Sequence, residues 1–183
     1  MQIIPLSSYN VNHLYSSKNK NNPTFCAKGL FPGSFDPITN GHVDIIKRAS
    51  LLFENLTILV SKNNSKLQTF LPEKIRLKLI ETIIKEEKLK NVNVVCTKDF
   101  AAKFAGTEKD TFIVRGLRDN KDFDYEMNLL KTSRAINNEI DVIFLPTNEG
   151  LETLSSSVIK DLYARGQDIS SLVPKCVKDF LQK

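Results

Sequence analysis

Residues 29–46 read GLFPGSFDPITNGHVDII and hold the residue types most able to do chemistry in this chain. An apolar lead-in meets Pro32-Gly33-Ser34, Asp36-Pro37 breaks the backbone again, and Gly41 and His42 arrive where a helical pattern begins. Gly33 permits close backbone approach and torsions that side chains forbid. Ser34 adds a hydroxyl beside it. Thr39 or Asn40 can cap the following helix. The free N–H groups and positive dipole end of that helix suit a phosphate. His42 then falls in the first turn, over the anion. A capped helix with a partly buried histidine would use the same residues. The concentration of glycine, hydroxyl and cap residues around one imidazole favours the phosphate site. No Gly-Lys-Ser/Thr follows, so this is not the phosphate loop of NTPases, and the glycine spacing is not that of a dinucleotide fingerprint.

Two further segments have the same leaning. IVRGLRDNKDFDYE (113–126) sends Arg115 and Arg118 out from the end of an apolar run, with Gly116 and Leu117 between them. Each guanidinium offers a planar fork of donors to phosphate oxygens. Asp122, Asp124 and Glu126 follow at a helix start, where the dipole favours acids. In TNEGLETLSSSVIKDLYARG (147–166), Ser155, Ser156 and Ser157 offer hydroxyls and N–H donors at another helix start, where a simple cap needs one serine. Lys66, in the loop before TFLPEK, reads by itself as a surface lysine.

The Thr39-Asn40-Gly41-His42 sequence soon after a first strand resembles the nucleotidylyltransferase signature, and PGSFDPITNGHVDII is similar to that of the bacterial-type phosphopantetheine adenylyltransferases. RGLR and the triple serine match the same family in the same order, so the resemblance runs over about residues 25 to 180. It implies transfer of the adenylyl group of ATP to 4′-phosphopantetheine, giving dephospho-coenzyme A and pyrophosphate. It implies that His42 and Lys66 are catalytic. Ser34, Lys66, Ala101 and Arg115 would bind the acceptor. Ser34, Phe35, His42, Gly116, Leu117, Arg118, Glu126, Leu151, Glu152, Thr153, Leu154, Ser155, Ser156 and Ser157 would bind ATP. Mg2+ would come with the ATP, and the assembly would be a homohexamer. Leu151 to Leu154 depart from the family, which commonly has aromatics there, and Ala101 stands where a larger apolar residue often lines the acceptor site. Two rivals are a related transferase using another phosphorylated acceptor or CTP, and a nucleotide-binding sensor that has lost catalysis.

These segments need a frame to face one another. The 183 residues, 41% hydrophobic and 26% charged, fit one domain with a real core. No apolar run approaches the roughly 20 residues of a membrane helix. The net charge of +5 is modest, and Lys18, Lys20 and Lys28 supply three of those charges in a stretch without acids. The aromatics are not interleaved with basic residues as a nucleic-acid surface would require. Cys26, Cys96 and Cys176 make no metal spacing or disulfide framework, which suits reduced thiols in the cytoplasm. Residues 1–24, rich in Ser and Asn, read as a disordered extension. His13 lies there without a role. A transit peptide, and hence an organelle, is the minority reading, because the stretch lacks Arg. From residue 25 on, apolar runs at 24–31, 56–61, 92–96, 111–114 and 141–146 alternate with helical patterns. The expected fold is α/β: a doubly wound five-stranded parallel sheet, Rossmann-like, with 25–183 as a single domain. In such sheets ligands bind at the carboxyl ends of the strands, where the strand order reverses. The loops after the first and fourth strands are therefore expected to face each other.

Overall fold

The computed structural model describes residues 25–61, 69–106 and 110–182. The expectations for residues 1–24 and for Lys66 lie outside these residues. Five parallel strands form one sheet: β1 (Phe25–Gly33), β2 (Phe53–Ser61), β3 (Val92–Thr97), β4 (Thr111–Leu117) and β5 (Asp141–Pro146), in the order β3-β2-β1-β4-β5. Helices α1 (Asn40–Leu52), α2 (Glu73–Glu86), α3 (Ala101–Ala105), α4 (Asn120–Ile136), α5 (Ser156–Ala164) and α6 (Lys175–Leu181) connect and follow them.

Local chemistry sets the boundaries. Thr39, Asp119 and Ser155 cap α1, α4 and α5 with side-chain oxygens, so Thr39 rather than Asn40 is the α1 cap. Pro72 and Pro174 immediately precede α2 and α6, where a missing N–H does no harm. Gly166 ends the α5 region with a φ of 70°. Val43, Ile46 and Ala49 form a buried stripe of α1 at helical spacing, whereas Phe53, four residues further on, already starts β2. Two strands run further than their apolar patterns. β1 continues to Gly33, and β4 continues through Arg115 and Gly116 because β5 pairs with it as far as Leu117 opposite Pro146. Arg115, expected past the end of the apolar run, is therefore a strand residue, and only Arg118 lies beyond the strand.

Alternation along β1 divides the core. Phe31 faces the larger cluster, with Ile46 and Ala49 of α1, Ile80 and Ile83 of α2, Ile159 of α5 and Val177 of α6. Leu30 faces a smaller one, with Leu59, Ile113 and Ile140 beneath Ala102 and Ala105 of α3. Each fully buried aliphatic side chain contributes about 1.5–3 kcal/mol. The better-covered face is thus the one that anchors α1 and α5, the helices whose starts hold His42 and the serines. Among the described residues no helix is long and apolar enough to cross a membrane.

Candidate active site

Central β1 pairs with β2 on one side and β4 on the other, so the strand order reverses between β1 and β4. A cleft of about 340 Å³ opens at the carboxyl ends of these two strands. The end of β1 contributes Phe31, Pro32 and Gly33, the start of α1 gives Gly41, His42 and Ile45, and β4 and its exit give Arg115, Gly116 and Arg118. Asp122, Tyr125 and Glu126 of α4, Thr147, and Leu154 to Ser156 complete the lining. The loops after β1 and β4 face each other as expected.

His42 is the third residue of α1 and closes a capping box with Thr39. The Thr39 N–H donates to Nδ1 at 3.1 Å, and the Thr39 hydroxyl lies 2.8 Å from the same nitrogen. The Thr39 Oγ accepts the His42 N–H at 3.4 Å, which leaves its own proton for Nδ1. Burial, reinforced by the nearby Arg118 charge, lowers the imidazole pKa from 6.5 to about 4. The ring is therefore neutral near pH 7. With Nδ1 accepting, its one proton sits on Nε2. The rings of Phe35, edge-on at 5.2 Å, and Phe31, at 6.5 Å, pack against it.

The arginines are held by acids one helical turn apart on α4. Arg115 Nε lies 2.7 Å from Glu126 Oε2, and its Nη1 donates to the Pro32 carbonyl at 3.1 Å. Arg118 grips both oxygens of Asp122, at 2.7 and 2.9 Å. Burial raises the Glu126 pKa against the opposing pull of Arg115, while the Arg118 fork lowers that of Asp122. The floor between the arginines is Gly116, where a Cβ would come within 3.2 Å of Ile45 Cγ1. The backbone there lies flush against α1, a close approach that glycine permits.

Most first-turn amides of α1 are already engaged. Asn40 N–H donates to Leu172 O, His42 N–H to Thr39 Oγ and Val43 N–H to Thr39 O. Gly41 N–H is left without a partner among the described residues, so the anion-binding capacity of this helix end is narrower than the sequence suggested. At α5, Ser155 Oγ accepts the Val158 N–H and Ser156 Oγ donates to Pro37 O at 2.8 Å. Ser157 is exposed and off the cleft.

The cleft brings together His42, Arg115, Gly116, Arg118, Glu126, Leu154, Ser155 and Ser156 of the expected residues. Ser34 sits half-buried just past Gly33, its carbonyl taken by Arg76 Nη1 at 2.5 Å. Phe35 is buried behind His42 rather than on the wall. Leu117, Leu151, Glu152 and Thr153 do not line the cleft, and Ala101 packs on α3 against the smaller core cluster. Sequence reasoning missed Phe31, Ile45, Tyr125 and Thr147, and read Asp122 only as a helix-start acid. The spacing of Asp122, Tyr125 and Glu126, one helix face, was the available signal.

Among the described residues, no group of three or more His, Cys, Asp or Glu could hold a metal ion. The two cleft carboxylates are both committed to arginines. This donor set does not fit a protein-held cation.

The cytidylyltransferase-like family matches residues 30–162. The chain is 38% identical over 156 residues to a phosphopantetheine adenylyltransferase of Prochlorococcus marinus (strain MIT 9215), covering 85% of this chain and 98% of the relative. It is 41% identical over 153 residues to the phosphopantetheine adenylyltransferase of Vesicomyosocius okutanii, covering 84% and 95%. The fold is similar to the crystal structure of a Vibrio parahaemolyticus protein designated a nicotinate-nucleotide adenylyltransferase. That similarity has a TM-score of 0.62 and 22% identity, over 85% of this chain and 91% of the other.

Proposed function

Because this chain belongs to the phosphopantetheine adenylyltransferases, within the cytidylyltransferase-like family, we infer that it transfers the adenylyl group of ATP to 4′-phosphopantetheine, in coenzyme A synthesis. An oxygen of the acceptor phosphate attacks the α-phosphorus of ATP. A new P–O bond forms, the bond to the β-phosphate oxygen breaks, and pyrophosphate leaves as dephospho-coenzyme A forms. The acceptor supplies its own nucleophile, so catalysis rests on alignment and on stabilising charge at the α-phosphate.

The observation that supports this most directly is His42: a neutral imidazole whose Thr39 contacts leave its proton on Nε2, at the cleft where β1 and β4 diverge. It would donate that proton in a hydrogen bond to an α-phosphate oxygen. Ser34 and the Gly41 amide would assist. Arg115, with Lys66 and Ala101, would receive the acceptor. Arg118, Glu126 and the segment from Leu151 to Ser157, of which Leu154 to Ser156 line the cleft and the rest flank it in sequence, would hold ATP, with the backbone of Phe35, Gly116 and Leu117 beside it. Magnesium would enter as part of the ATP substrate, held by phosphate and water.

Pyrophosphate release tests the reading. Release is expected with ATP and 4′-phosphopantetheine, and not when pantetheine, nicotinate mononucleotide or CTP replaces one of them. Release with another pair would move the chain to a related transferase. Nucleotide binding without release would make it a sensor. The family's homohexamer is supported by α4, which buries no residue along 17 positions and leaves Phe123 and Ile136 about half exposed beside edge strand β5. Light scattering on purified protein would give six copies. A cytoplasmic location and a self-sufficient domain at 25–183 complete the proposal. Removing residues 1–24 should leave activity unchanged, and fractionation of cells expressing a tagged chain should recover it uncut in the cytosol.

A further inference from the structure

Arg76 lies on α2, outside the cleft lining, and is only 2% exposed. A buried guanidinium ordinarily has a carboxylate beside it. Among the described residues this one has a single hydrogen bond, from Nη1 to the Ser34 carbonyl at 2.5 Å, and its buried Nε has no partner. The chain thus keeps a buried cation, with an unsatisfied donor, to grip one backbone oxygen of the turn between β1 and α1. That turn also needs holding. Phe35, next to Ser34, has a φ of 46°, a region uncommon for an aromatic residue. Its ring is 1% exposed and meets the His42 ring edge-on at 5.2 Å. On its other side, Asp36 accepts the N–H groups of Phe70 and Leu71 at 2.9 and 2.7 Å.

We propose that Arg76 is a positioning residue for the reaction: by fixing the Ser34 carbonyl it sets the Phe35 ring, which in turn holds the His42 imidazole in its donating orientation. Arg76 makes no contact with the cleft, so it acts only through the turn. The bracket has two arms, Arg76 on Ser34 and the two amides on Asp36, with Phe35 between them. The groups facing His42 from the surrounding elements are Thr39 at the start of α1, the rings of Phe31 and Phe35, and Arg118 after β4, with Asp122 paired to that arginine. Arg76 bonds none of these groups directly; it holds the Ser34 carbonyl, and Phe35 is the next residue along the chain, so a change at Arg76 reaches His42 through the Ser34–Phe35 backbone and the Phe35 ring.

The activity arm of the test rests on the role proposed above for His42, and the spectroscopic arm does not. Arg76→Met removes the donor while keeping the stem, and Arg76→Lys restores a donor and the charge. For the methionine variant, kcat should fall between about tenfold and a hundredfold, as a small misplacement of a reacting group does, with the KM for ATP changed less than threefold. The lysine variant should recover part of the loss. In proton NMR the His42 ring signals, identified by their loss in His42→Gln, should shift in Arg76→Met as the Phe35 ring current changes, and should shift the same way in Phe35→Leu. Combining the two substitutions should add little to either. If the methionine variant does not fold, the same readings on the lysine variant against Phe35→Leu decide the matter. Unshifted His42 signals in a folded Arg76 variant would overturn the proposal, whatever happens to activity. Shifted signals with unchanged kcat would overturn the catalytic meaning of the coupling.

Discussion

Replacing His42 with glutamine should flatten a specific part of the protein's stability–pH curve. The imidazole is held at a pKa of about 4 by burial and by Arg118, against an ordinary value of 6.5 in the unfolded chain. Well above pH 6.5 the ring is neutral in both states, so titration imposes no penalty. As pH falls from 6.5 toward 4, the unfolded chain takes up a proton that the folded ring refuses, and stability drops. The interval corresponds to about 3 kcal/mol, which the partial solvent contact of the ring trims to about 2–3 kcal/mol. The steepest slope is about 1.4 kcal/mol per pH unit. Urea unfolding of wild type and His42→Gln at half-unit steps from pH 8 to 4 measures it. The carboxylates common to both proteins cancel in the difference. That difference should be constant above pH 7 and then fall by about 2–3 kcal/mol against the wild type. A flat difference down to pH 4.5 would refute the buried, neutral histidine. Activity should agree: any acid limb of kcat owed to His42 should centre near pH 4 rather than 6.5.

His42→Ala should keep the fold and lose roughly 10²–10³ in kcat, the usual effect of removing one charge-stabilising donor, while calorimetry shows a smaller change in ATP affinity. Arg115→Lys cannot serve both Glu126 and the Pro32 carbonyl as the guanidinium does. Steady-state kinetics should therefore show a raised KM for the phosphorylated acceptor and weaker discrimination against pantetheine, with ATP binding largely retained. Ile159→Ala, at a fully buried position where α5 meets the core, should lose about 2–5 kcal/mol in urea unfolding.

The alternation of apolar strands with amphipathic helices was enough to read five parallel strands and the facing of the loops after β1 and β4. The Thr39–His42 run was legible because a cap and its N3 partner are local in sequence. What was not legible depended on pairing or burial. β4 extends through Arg115 because β5 lies beside it, and no pattern within residues 111–117 states that. The free amides of α1 looked more numerous than they are, because Leu172, more than 130 residues away, takes one of them. Nothing in the sequence marks Arg76, since a buried cation reveals itself only when its neighbours are placed.

The central position of β1 fixes the direction in which the chain can be extended. All five strands point their carboxyl ends toward the cleft, so Phe25 enters the sheet at the opposite rim. Nine strand residues at about 3.3 Å each separate the two rims by about 26 Å along β1. An affinity handle, fluorophore or surface tether attached at the amino side of Phe25 would join the domain at that far rim. Immobilising the protein by this route should leave both substrates a clear approach, whereas attachment at the turn after Gly33 would occupy the reaction space itself.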